Sequence, residues 1–187
     1  MDHIFTYSKS NPIPDEKFER VFSILESSFP KSERGNAELH RREHSRDNFR
    51  CMCCEPEGVP AAFINYYELP EQEFIFVEHF AVSEELRGKG VGSAMMRELI
   101  AGYSPLNIVL EVESPVDDIT RRRVAFYQRL GFSLNSGAYF QPPFYGNPQP
   151  LPLKLMSTIP LSAASFESTA LSIHHNIYCW QTNGMYH

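Results

Sequence analysis

Residues 80–96 read FAVSEELRGKGVGSAMM, and the order of their properties decides how the rest of the chain is read. The apolar residues 73–82 form a strand candidate. Gly88, Gly90 and Gly92 then alternate with Lys89 and Val91 directly behind Arg87, and a helix follows over 90–103. Val91, Met95 and Leu99 make one stripe of that helix, with Met96, Ile100 and Tyr103 beside it. Glycines permit positive φ and close approach, and a helix that starts there turns unpaired N–H groups and its positive dipole end toward the same space. A phosphate or pyrophosphate suits that place; a tight turn between strand and helix is the plainer reading. The spacing excludes a Walker A loop, which needs four residues between its first Gly and Gly-Lys. It also excludes the dinucleotide fingerprint, whose third glycine would fall where Ala94 or Met95 stands.

Outward from this unit, periodicity alternates between two and 3.6. Residues 2–7 read as a strand. Phe18, Val21, Phe22, Leu25 and Phe29 recur at helical spacing before Pro30, and the polar stretch 31–48 reads as a second, less regular helix. Strands are expected at 49–54, 60–68 and 73–82, separated by EPEGVP and LPEQ, which predicts an antiparallel meander. Beyond the glycine unit come a strand at 106–112, a helix capped near Asp117 and closed by Gly131, a strand at 150–156 and a final helix within 165–180. The predicted class is α+β: a mostly antiparallel sheet flanked by helices, with one strand–loop–helix unit at its centre.

The 187 residues, 42% hydrophobic and 21% charged, suit one core. With 23 acidic and 17 basic residues the net charge is −6, which argues against uniform attraction to nucleic acid or an anionic membrane and makes any anion site local. No run of about 18 apolar residues and no signal-peptide pattern is present, so a cytoplasmic location is expected. Cys51, Cys53 and Cys54 crowd together far from Cys179, which reads as reduced thiols rather than a disulfide framework. His40 and His44 at i, i+4 followed by Cys51-x-x-Cys54 would suit zinc by count, but strand alternation sends Cys54 to the opposite face from Cys51 and Cys53. No metal is expected.

FAVSEELRGKGVGSAMM resembles the acyl-CoA-binding motif of the GNAT superfamily of N-acetyltransferases, with Arg87, Gly90 and Gly92 at its marked positions, and AFYQRLGF (125–132) is similar to that family's late helix. The resemblance covers residues 1–157 and leaves 158–187 as a C-terminal extension, expected to be helical and packed on the same domain. It implies a GNAT-like fold with a splayed pair of central strands, 73–82 and 106–112, and acetyl-CoA as cosubstrate. By similarity the pyrophosphate lies on Arg87, Gly88, Lys89, Gly90, Val91, Gly92 and Ser93, while the pantetheine arm pairs along Phe80, Ala81 and Val82. The chain departs from the family where Thr120 replaces a cofactor-contacting Asn and Arg123 a small residue; Thr120 keeps the cofactor-side position, and Arg121 to Arg123 offer charge to phosphate.

The reaction this implies is direct attack of a primary amine on the thioester. Tyr127 is by similarity the acid for the departing thiolate. Glu78, directly or through water, is chosen as base, with His79 the alternative; alternation places the two on opposite faces of the strand. The aromatic stretch YFQPPFY (139–145) forms a stiff wall at the acceptor site opposite SFPKSER (28–34), so Glu33, Tyr139, Phe140, Phe144 and Tyr145 are expected to receive a cationic acceptor. Expected partners are a small amine or an exposed amino group, with no nucleic acid or membrane, in a monomer or homodimer. Two other classes stay open: an acyl-CoA-binding GNAT module without efficient transfer, and a nucleotide-binding module unrelated to coenzyme A.

Overall fold

A computed structural model describes residues 3–143 and 149–180. The chain divides into two compact units, Met1–Glu68 with Val77–Ser104, and Leu69–Phe76 with Pro105–His187.

In the first unit β1 (Ile4–Tyr7) is followed by three helices, α1 (Asp15–Ser28), α2 (Lys31–Arg34) and α3 (Ala37–His44), and then by β2 (Phe49–Cys54) and β3 (Ala62–Leu69). Strand β4 (Phe74–Val82) supplies Val77–Val82 here, and α4 (Val91–Tyr103) closes the unit. The strand order is β1-β2-β3-β4. β1 pairs antiparallel with β2 (Phe5 opposite Cys53) and β2 with β3 (Met52 opposite Ile64), as the turn between 54 and 62 requires. Helix α1 starts behind Pro14 with Asp15 and Glu16 in its first turn, which suits its dipole, and buries Phe18, Val21, Ile24 and Leu25. Each such burial is worth about 1.5–3 kcal/mol. The polar stretch expected to hold one irregular helix holds two. Gly35 adopts φ +68, and Asn36 then caps α3 by accepting the Leu39 N–H at 2.9 Å. Every residue of β3 from Ala62 to Tyr67 is buried, so both faces of that strand are covered and the period-two pattern vanishes.

The second unit holds Phe74–Phe76 of β4, β5 (Asn107–Val112), α5 (Asp118–Gln128), β6 (Ser133–Leu134), β7 (Tyr139–Gln141), β8 (Leu151–Ser157) and α6 (Ala163–Asn176). Strand β8 pairs antiparallel with β5 (Val109 opposite Ser157), with β6 (Leu134 opposite Met156) and with β7 (Tyr139 opposite Leu153). β6 and β7 are too short to carry a sequence signal and were not expected. α6 begins two residues earlier than predicted because Ser162 caps it, accepting the Ser165 N–H at 3.2 Å. The core of this unit is Ile108, Val109 and Leu110 with Leu155, Met156 and Ile173. The class is α+β, as expected. Among the described residues no helix is long and apolar enough to cross a membrane.

Candidate active site

The glycine loop lies wholly in the first unit. Gly88 and Gly90 take φ +75 and +81, Gly88, Lys89 and Gly90 are exposed, and a Cβ at either glycine would meet nothing within 4 Å. Gly90 is the N-cap of α4 and no side chain caps the helix; its first intrahelical bond is Ala94 N–H to Gly90 O at 3.0 Å, leaving the earlier amides without an intrahelical acceptor. Gly92 has a packing role that the sequence did not show. A Cβ there would sit 2.9 Å from Phe80 Cζ and 3.3 Å from Val82 Cγ2, so Gly92 lets α4 pack closely on β4. Arg87 turns its Nε back to the Val82 carbonyl at 3.0 Å and stands 3.7 Å from Glu84, which braces the loop. Val91 and Ser93, half-buried, complete the first turn.

On β4, Glu78 and His79 meet. Strict alternation would separate them, yet Glu78 Oε2 lies 3.3 Å from His79 Nδ1, and the two side chains are only 7% and 6% exposed. The far ring nitrogen of His79 donates to the Glu33 carbonyl at 3.2 Å, so Glu33 touches His79 through its backbone. Burial pushes the Glu78 carboxyl up, but the charge and hydrogen bonding of His79, then His40 and Arg46, outweigh it and hold the group below its ordinary value. Phe80 and Val82 are half-buried and Ala81 is buried.

In the second unit Tyr127 sits on α5 between the rings of Phe126 (5.1 Å) and Phe132 (5.5 Å). It is 9% exposed, and its hydroxyl makes no hydrogen bond to a described residue. Burial raises its pKa to about 12, against a lowering pull from Arg123 one turn earlier. Thr120 is occupied elsewhere. It forms a capping box with Asp117, its N–H donating to Asp117 Oδ1 at 2.8 Å and its hydroxyl at 2.9 Å, so its side chain serves the start of α5.

The aromatic wall divides. Tyr139 is 6% exposed and points inward, donating its hydroxyl to Glu111 on β5, while Phe140 is 38% exposed and packs on His174 at 4.9 Å. Phe144 and Tyr145 lie outside the described residues. Glu111 also accepts from Tyr178 at 2.8 Å and from Gln141 at 3.3 Å, a half-buried carboxylate cluster that joins the C-terminal segment to β5. Sequence reasoning missed it, although an acid within NIVLEV was a signal, since a charge in a buried strand needs partners. It also missed His40, buried at 3% exposure beside His79 with ring centroids 5.5 Å apart.

A family model described as the acetyltransferase (GNAT) family matches residues 18–132, which takes in α1 through the glycine loop to Phe132. The chain belongs to that family. A solved GNAT-family structure from Bacteroides thetaiotaomicron, named as an acetyltransferase, is 32% identical over 95% of this chain and 99% of its own, with a TM-score of 0.83. The Bacillus subtilis (strain 168) protein YjbC, whose name also describes an acetyltransferase, is 44% identical over 62 residues; the match spans 32% of this chain and under a third, 31%, of that protein's length. The ribosomal-protein-S18-alanine N-acetyltransferase of Escherichia coli shares the fold, with a TM-score of 0.61 at 15% identity over 86% of this chain and 96% of its own. Membership makes the chain an acyltransferase of the GNAT type.

Proposed function

We propose that this GNAT acyltransferase moves an acetyl group from acetyl-CoA to a primary amine by direct attack. The observation that carries the reading is the exposed, uncapped start of α4, where Gly88 and Gly90 hold positive φ and leave space a side chain would fill. The cosubstrate supplies an activated acyl carbon and a thiol leaving group. The chain supplies the rest. The amides at the start of α4, with Arg87 and Lys89 nearby, suit a pyrophosphate. Glu78, ionised at neutral pH, accepts the proton that the ammonium must lose. Tyr127, with its pKa of about 12, keeps its proton until the thiolate leaves and then supplies it. The N–C bond forms, the C–S bond breaks, and coenzyme A departs as thiol, while the second proton shed by the attacking nitrogen balances the one that Tyr127 gives to sulfur.

For the acceptor, the carboxylate of Glu33, beside the Glu78–His79 pair in the first unit, supports a cationic amine. Tyr139, turned onto Glu111, contributes shape rather than a free face. The burial of Glu78 favours one other reading, a module that binds acyl-CoA without efficient transfer. Thiol release measured over a panel of cationic and anionic amines separates the two. Acetyl-CoA-dependent release with cationic amines is expected, and tight calorimetric binding of acetyl-CoA with no release above hydrolysis would select the module.

A further inference from the structure

The proton inventory around Glu78 is constrained by its neighbours. The Glu33 carbonyl can only accept, so the His79 Nε2 that lies 3.2 Å from it carries a hydrogen. Glu78 Oε2 and His79 Nδ1 stand 3.3 Å apart without meeting hydrogen-bond geometry, so a carboxylate beside a neutral ring would set two unprotonated, lone-pair-bearing atoms close together in a site where both side chains are under a tenth exposed. One proton between them removes that repulsion. Imidazole ordinarily holds a proton about two pK units more strongly than a Glu carboxyl, which is about a hundredfold in favour of imidazolium and carboxylate.

The surrounding groups agree. His40, from α3, points its Nε2 at the Arg34 carbonyl, so it too donates there, and its Nδ1 has no hydrogen-bond partner. Burial holds the pKa of that ring down against the opposing pull of the Glu78 charge, and the charge of His79 lowers it further. Two imidazoliums 5.5 Å apart would repel, so a single cation on His79 is the stable arrangement. His44, also on α3, is likewise held low by burial. Arg46 adds positive charge on the side of Glu78, and Tyr67 from β3 gives its hydroxyl to Glu43 at 2.6 Å rather than to Glu78. The edge-on Phe29 ring, 5.0 Å away, packs on the His79 ring.

We infer that Glu78 and His79 form a one-proton pair in which His79, anchored on the Glu33 carbonyl of α2, is the positioning residue that keeps Glu78 ionised and aimed. This rests on the reading of Glu78 as base. It makes His79 neither a rival base nor a packing residue, and it ties the base to α2, whose Glu33 and Arg34 carbonyls hold both histidines.

The experiment is imidazole ¹⁵N–¹H correlation on the full chain, with His79 assigned through His79→Gln, alongside steady-state rates. At pH 7 His79 should show both ring nitrogens protonated, and in Glu78→Gln the same ring should become neutral. His79→Gln should lower kcat about tenfold with acetyl-CoA affinity unchanged. It should also move the acid limb of the acceptor kcat/KM to higher pH, because the cation that holds the Glu78 carboxyl down is gone. A neutral His79 ring at pH 7 in the parent overturns the pair, as does an unmoved acid limb in a folded His79→Gln variant. If Glu78→Gln keeps full kcat, the base reading falls by itself, and the ring spectra of the parent still decide whether the proton is shared.

Discussion

At the scale of single residues, Tyr127 is the clearest case of a side chain whose surroundings do not use its polar group. Its ring is packed by Phe126 and Phe132, but its hydroxyl has no protein partner among the described residues. Tyr127→Phe therefore removes no hydrogen bond to a described residue and should leave stability within about 0.5 kcal/mol of the parent. Acetyl-CoA affinity should also be kept, while turnover drops on the order of 10²-fold if the phenol protonates the leaving thiolate. Thermal unfolding, calorimetry and initial rates on the one variant check all three, and unchanged turnover with a good acceptor would reduce Tyr127 to packing. Tyr127 was legible in the sequence through AFYQRLGF; its bare hydroxyl was not, because amphipathic spacing gives the face of a helix and says nothing of what the tip meets. The Glu78–His79 contact was illegible for the same reason. Burial from Glu78 to Val82 still alternates as period two requires, but alternation describes where side chains leave the strand and not where their tips end, and these two tips meet at 3.3 Å.

At the scale of elements, the glycine loop was legible as strand, loop and helix to within a residue, since composition changes sharply at 83 and again at 91. Its three glycines looked alike in the sequence and are not alike in the fold. Gly90→Ala places a side chain at φ +81, a strain of about 1–2 kcal/mol, in open space beside the first amides of α4. Gly92→Ala drives a Cβ to 2.9 Å from the Phe80 ring, an overpacking of about 1–3 kcal/mol between α4 and β4. Both should lower the unfolding midpoint. Gly90→Val in a folded protein should weaken acetyl-CoA binding strongly through the lost space, whereas Gly92→Ala should act on affinity mainly as far as it displaces α4. Titration calorimetry beside denaturant unfolding checks the division, and equal affinity in Gly90→Val and parent would remove the loop from the cofactor site. Thr120 carries the same lesson. Matching it to a cofactor contact by position overlooked that Asp117, three residues earlier, completes a capping box with it.

At the scale of the whole chain, the α+β class and the order of the long elements were legible because each carries its own period and punctuation, while β6, β7 and the split of 31–48 into α2 and α3 rest on contacts too local or too distant to leave a pattern. Acid sensitivity is a property of this scale that the sequence hides, since seven histidines look equivalent until burial distinguishes them. His44 packs on Phe18 (5.4 Å) and Phe49 (4.8 Å), and burial lowers its pKa to about 4; His40 shifts the same way. In the unfolded chain a histidine titrates near 6.5. Between those values the unfolded state binds a proton that the folded state refuses, so folding is favoured more as pH rises. The contribution is present in full above about pH 6.5 and is lost as pH falls toward 4. From pH 7 to pH 5 the His44 share is about 1–2 kcal/mol once its partial exposure is allowed for. Glu78, whose folded pKa is depressed, adds a loss of the same sign only below its unfolded value near 4.3, so the two groups act in separate windows. A His79 that stays protonated in the folded chain opposes this between pH 6 and 7, but the shares of His44 and His40 together are larger, so urea unfolding at pH 5, 6 and 7 should show the midpoint rising with pH. His44→Leu, which keeps an apolar side chain between Phe18 and Phe49, should flatten the rise by the His44 share while leaving that of His40. A His44→Leu variant whose midpoint climbs from pH 5 to pH 7 as steeply as the parent's would mean that His44 titrates in the folded protein as it does in the unfolded chain, and that its burial against the two rings does not hold.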